Sequence, residues 1–155
     1  AAAIGRRLRR YDFVRRALAA PGPFVTERGV QPGGTDMVPR GQKDRARANP
    51  DLRDHYVAVH YRDGRIYQDV DDSPVIVTAD SFGRINREIG AQTSAHVAKE
   101  IHMPVTLLHA TGSGPNIPWM LAKKPPEYLA GRRVLVWAGV ARQFVKSDWK
   151  QAKLP

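Results

Sequence analysis

Of the side chains able to do covalent chemistry, the hydroxyl of Ser81 stands in the most informative place. It follows Asp80 at the end of Ser73-Pro74-Val75-Ile76-Val77-Thr78-Ala79, an apolar, β-branched run that reads as a buried strand. Residues 84–101 beyond it have helical spacing. A serine where a strand hands over to a helix is lifted out of the sheet. Free N–H groups at the helix start can then stabilise a developing oxyanion. The competing account is that Asp80 or Ser81 caps the helix, and on the dipeptide alone capping is the cheaper explanation.

A serine nucleophile needs a base. His96 lies fifteen residues up the expected helix, roughly 20 Å away at about 1.5 Å per residue, and reads as a partly buried packing residue. His109 ends the run Pro104-Val105-Thr106-Leu107-Leu108-His109, an expected strand, and could reach Ser81 from its end. No acid is obviously paired with it in sequence. Asp69, Asp71 and Asp72 form the only acidic cluster. A polar turn before a buried strand explains them more cheaply than a metal site. Gly33-Gly34-Thr35 is not a phosphate loop, because no Gly-Lys-Ser/Thr follows. The absence of cysteine excludes disulfides, thiolate metal sites and a cysteine nucleophile. No metal or organic cofactor is implied.

These residues must be held by a scaffold. The runs 74–79, 104–109 and 133–137 read as strands. The stretch 84–101 reads as helix, as do the pieces 117–121 and 127–129, which Pro125-Pro126 interrupt. That order is βαβαβ, and crossovers of such length imply a parallel sheet covered by helices. Ligands of such sheets sit at the carboxyl ends of the strands. Ser81, the loop Gly112 to Asn116 and the residues after Trp137 emerge there together, which favours the functional reading of Ser81.

Ahead of this unit, Ile4, Leu8, Tyr11, Val14 and Leu18 share one arc of a helix spanning 4–18, with Arg6, Arg9, Arg10 and Arg16 mostly opposite. A helix of this kind can rest on a membrane or nucleic acid, but docking on its own domain is the commoner outcome. From Ala20 to Asp51 prolines and glycines alternate, which predicts irregular structure with a short strand at Phe24-Val25-Thr26. So long a loop tends to be functional or mobile. Tyr56-Val57-Ala58-Val59-His60 and Ile66-Tyr67, flanking Asp63-Gly64, predict a hairpin.

The chain of 155 residues, 42% of them hydrophobic, suits a single domain. No apolar run is long enough to span a bilayer. Ala1 to Gly5 lacks a signal-peptide core, so either a targeting segment was removed or none existed. The net charge of +10 favours an anionic partner: an acidic polysaccharide, nucleic acid or lipid headgroups. Nothing resembling an RNP motif, zinc finger or helix-turn-helix supports the nucleic acid.

The ordered set formed by Ser73 to Phe82, a glycine loop, and Leu129-Ala130-Gly131-Arg132-Arg133-Val134-Leu135-Val136-Trp137 with Arg142 behind it resembles a known family. It is similar to the SGNH-hydrolase-like domain of alginate and exopolysaccharide O-acetylation proteins, over about residues 54–145. The resemblance implies a three-layer α/β/α sandwich with a small parallel sheet, flavodoxin-like in outline. It also implies a periplasmic or secreted location, an acidic or acetylated glycan as partner, and an acetyl-donor membrane protein. Ser81 would carry the acetyl group, with Asp80 beside it and His109 as the available imidazole. Gly112, Gly114 and Asn116 would form the oxyanion loop, and Arg142 would face the substrate. Two positions and one motif depart from the family: Ala79 replaces a glycine, Ala138 replaces the glutamate that usually follows the tryptophan, and no Asp-x-His occurs anywhere in the chain. Either that dyad lies before Ala1 or the chain is an inactive relative. The non-enzymatic alternative is a basic module that binds an acidic polysaccharide. The expected organisation is one domain, 1–155, with a basic helix and irregular region over 1–53 preceding an α/β core at 54–145.

Overall fold

The structure, a computed structural model, describes residues 1–32, 53–109 and 116–139, with Ser81 and Phe82 described through their backbone alone. Along these residues run α1 (Ala2–Leu8), α2 (Asp12–Leu18), β1 (Phe24–Pro32), β2 (Arg53–Tyr61) and β3 (Val75–Ala79). Then come α3 (Thr93–Ile101), β4 (Thr106–His109), α4 (Ile117–Ala122), α5 (Pro126–Leu129) and β5 (Val134–Trp137). The expected βαβαβ order holds. β3 lies between β4 and β5 and pairs with both in parallel.

All five residues of β3 are buried. Side chains alternate along a strand, so Val75 and Val77 face one way and Ile76 the other. On the first side pack Leu8, Val14, Phe24, Val59, Tyr67 and Val97, among others. On the second pack Leu108, Ile117 and Leu121, with Tyr128 and Leu129 at the margin. A strand covered on both faces has no polar position to show, which is why 75–79 reads as an unbroken apolar run. Each such side chain contributes roughly 1.5–3 kcal/mol by burial.

The single helix expected over 4–18 is two. Tyr11 takes an extended backbone (φ −88°, ψ 133°), and α2 restarts at Asp12, whose carboxylate pairs with Arg15. Leu8 and Val14 remain buried while Arg6, Arg9, Arg10 and Arg16 are exposed, so both helices dock on their own domain.

The short strand expected at 24–26 is nine residues long. It pairs with β2 in antiparallel register from Phe24–Tyr61 to Pro32–Arg53. Gly29, which reads as a breaker, faces Tyr56 across the pair, and the tyrosine ring occupies the space a Cβ would fill. The rest of the expected loop, 33–51, lies outside the described residues. Around Asp63-Gly64 the turn forms, with Gly64 at φ 87°, but the second arm reduces to one bridge between His60 and Ile66.

The helix expected over 84–101 is also broken. Two 3-10 turns, Ser81–Arg84 and Arg87–Ile89, precede α3. Asn86 (φ 61°), between the two turns, and Gly90 (φ 74°), after the second, take left-handed backbone. The Gly90 carbonyl accepts from Val59 N–H at 2.9 Å, and a Cβ on residue 90 would stand 2.6 Å from the Val59 oxygen. Docking on β2 therefore requires the break. His96, on α3, is partly buried, and burial holds its pKa below the ordinary value of 6.5, as expected of a packing histidine.

Arg132, at the amino end of the sheet, ties that end together. Its guanidinium donates to the carbonyls of Ser73 and Asp71, to Thr106 Oγ1 at 3.0 Å and to the Tyr128 carbonyl at 3.1 Å, and it stacks on the Tyr128 ring. Arg132→Ala would strip charge-assisted bonds from several part-buried acceptors. It is expected to destabilise the domain by about 2–3 kcal/mol in urea melts, each such bond contributing ~1.5–3 kcal/mol. Retained stability would mean these carbonyls find water instead.

Candidate active site

Because β3, β4 and β5 run parallel, Ala79, His109 and Trp137 share one rim at their carboxyl ends. At this rim β3 turns immediately. Asp80 is buried, Gly83 N–H donates to the Asp80 carbonyl at 3.1 Å, and Ser81 opens the 3-10 turn. The turn is tight because residue 83 carries no side chain: a Cβ there would overlap the methyl of Ala79. Ala79, where the resembling family has glycine, is thus accommodated by a glycine four residues later. The long helix expected to supply oxyanion N–H groups is absent at this point. A single 3-10 turn replaces it.

Parallel pairing sets His109 opposite Ala79, and Ser81 follows Ala79 by two residues, at most about 7 Å of chain. The imidazole Nε2 lies 3.0 Å from a terminal nitrogen of Arg84, on the turn that Ser81 begins. A guanidinium can only donate, so Nε2 accepts and the neutral ring carries its proton on Nδ1. Burial, then Arg84 and Arg87, hold the His109 pKa below its ordinary value, and Asp69 opposes them.

The acidic cluster separates into different roles. Asp71 and Asp72 are exposed, as a polar turn requires. The Asp69 side chain is 8% exposed, 3.8 Å from Arg87 Nε, and neither of its oxygens has a hydrogen-bond partner among the described residues. Its charge adds to burial in pushing the pKa of the Tyr67 hydroxyl far up. Among the described residues no three His, Cys, Asp or Glu side chains gather as metal ligands, and no helix is long and apolar enough to cross a membrane.

Of the residues singled out in the sequence, Asp80 and the backbone of Ser81 follow the end of β3, and His109 ends the neighbouring β4. Asn116 immediately precedes α4, and its side chain makes no capping hydrogen bond there. Gly112, Gly114 and Arg142 lie outside the described residues. Sequence reasoning missed Arg84 and Arg87, and read Asp69 only as part of a polar turn. Arg84 stands three residues after Ser81, but its meeting with His109 depends on the pairing of β3 with β4, which local pattern does not reveal.

No family model and no curated protein matches the sequence. Among solved structures the chain is similar to the O-acetyltransferase domain of Pseudomonas putida AlgJ, at 20% identity and a TM-score of 0.53. The match covers 88% of this chain and 48% of that one, so the chain spans about half the length of its structural neighbour. At this identity the likeness is one of fold. The resemblance read from the residues is thereby met in three dimensions: this chain is an α/β domain built like the O-acetyltransferase domain of AlgJ.

Proposed function

We propose that the chain is an SGNH-type serine O-acetyltransferase or acetylesterase domain acting on an extracellular polysaccharide, its sheet forming the middle of a three-layer sandwich. One observation carries this reading. The β3–β4 register brings a neutral imidazole and a serine to neighbouring strand ends, in a fold shared with an O-acetyltransferase domain. In the first step Ser81 Oγ attacks the acetyl carbonyl of a donor ester and its proton passes to His109 Nε2. N–H groups of the 81–84 turn, with Gly112, Gly114 and Asn116, hold the oxyanion. Collapse expels the donor alkoxide, which takes the proton from His109 and leaves acetyl-Ser81. A sugar hydroxyl, or water in an esterase, then attacks and yields its proton to His109. Serine leaves with that proton, and the new ester or acetate is released. Asp80 supports the turn, and Arg142 contributes to the basic surface that faces an acidic glycan. The location is periplasmic or secreted, and the donor is an acetyl-carrying membrane protein.

The second reading, a non-catalytic basic module for acidic polysaccharide, is favoured by the Arg84 contact that occupies His109 Nε2 and by the absence of Asp-x-His. A serine-directed fluorophosphonate separates the two. Covalent labelling lost in Ser81→Ala supports the enzyme. Absence of labelling with retained glycan binding supports the module.

A further inference from the structure

We propose that Arg84 is a positioning residue that closes the His109 base until the carboxylate of an acidic sugar takes its guanidinium. The inference rests on the reading of His109 as the base. Its geometric support is separate: Arg84 donates to the one ring nitrogen that has a lone pair to offer. A lone pair already bonded to a guanidinium cannot receive the serine proton. The contact must open before His109 can act.

Arg84 is placed to open it. It is exposed, it belongs to the same short turn as Ser81, and among the described residues no carboxylate pairs with it. Arg87, its neighbour at the rim, is already set against Asp69. A guanidinium bonded to a neutral imidazole gains more from an ionised carboxylate, which it can grip through two parallel N–H···O bonds. The charged groups facing His109 point the same way. Arg84 and Arg87 disfavour its protonation, and Asp69 is the acid that opposes them. A bound anion at Arg84 would remove one cation from contact with the ring and set a negative charge nearby. The base would become both free and stronger. Selectivity follows without a dedicated pocket, since a glycan bearing a carboxylate next to the acceptor hydroxyl switches the base on and a neutral sugar does not.

The test is the titration of the imidazole carbons by NMR, with His109 assigned by the resonance that disappears in His109→Gln. Wild type and Arg84→Gln are each titrated alone, with tri-galacturonate and with neutral maltotriose. In wild type, His109 is expected to titrate below ordinary histidine, to move up with tri-galacturonate and to stay put with maltotriose. In Arg84→Gln it should already titrate higher, and tri-galacturonate should add little. The proposal is overturned if the Arg84→Gln titration matches wild type, or if tri-galacturonate shifts both proteins equally or neither. Fluorophosphonate labelling in parallel, with tri-galacturonate present to free the base, identifies the other failure. If Ser81 never labels, yet the His109 shifts follow the expected pattern, the contact with Arg84 stands and the serine chemistry falls.

Discussion

With tri-galacturonate present to free the base, replacing His109 with glutamine is expected to slow fluorophosphonate phosphonylation of Ser81 by ~10²–10⁴-fold, the range over which a positioned general base acts. The thermal melt should stay close to wild type. The side chain sits partly exposed at the rim, and glutamine keeps an oxygen that can accept from Arg84. The pH profile provides a second check. The His109 pKa is held below 6.5 by burial first and then by Arg84 and Arg87, so the unprotonated base persists to lower pH than usual. With tri-galacturonate present, the wild-type labelling rate should fall as the pH drops through the His109 pKa, which the sugar carboxylate moves up from that depressed value. The variant should lack that limb. An unchanged rate in His109→Gln would remove this histidine from the chemistry and move the weight to the glycan-binding reading.

The second large effect concerns the turn that carries the serine. Gly83→Ala is expected to destabilise the domain by about 1–3 kcal/mol, the usual cost of forcing a methyl into a packed site. The added carbon would overlap the Ala79 methyl, itself buried in the central strand. Ala79→Gly alone should cost up to ~1 kcal/mol through the freedom glycine restores to the unfolded chain. Together the two changes should be milder than their sum, because each makes room for the other. Urea denaturation of the four proteins measures this coupling. Additive losses would show that the turn relaxes by another route and that the Ala79/Gly83 pair carries no shared constraint.

Legibility in the sequence tracked how local the cause was. The runs at 75–79 and 106–109 are identifiable because a strand covered on both faces, or nearly so, is mostly apolar, whereas 134–137 is legible from its β-branched and aromatic residues although Leu135 and Trp137 are exposed. β1 was underestimated because Gly29 and Pro32 look like breakers when read along the chain. Only the facing Tyr56 ring shows why the glycine is there, and only the position of Pro32 at the strand terminus shows why it is tolerated. The helix over 84–101 was overextended for the opposite reason. Its apolar spacing is real, but the contact of Gly90 with Val59 bends the backbone away from helix. Tyr11 likewise continues the apolar arc while its backbone leaves the helix. Periodicity reports which face is buried, and it does not report continuity.

The candidate site divides along the same line. Ser81 and His109 were found separately, each at the end of an apolar run, since strand ends are written in adjacent residues. Their placement at neighbouring strand ends requires that residues thirty apart pair in parallel with Ala79 opposite His109, a register set by side chains packed on both faces of β3. The guanidinium on Nε2 and the buried Asp69 carboxylate belong wholly to that packing. Residue order along this chain was enough for its apolar strands, its basic character and its candidate side chains. Which side chains touch depended on how those strands align, because hydrogen-bond and charge energies fall off over a few ångströms while the partners lie tens of residues apart.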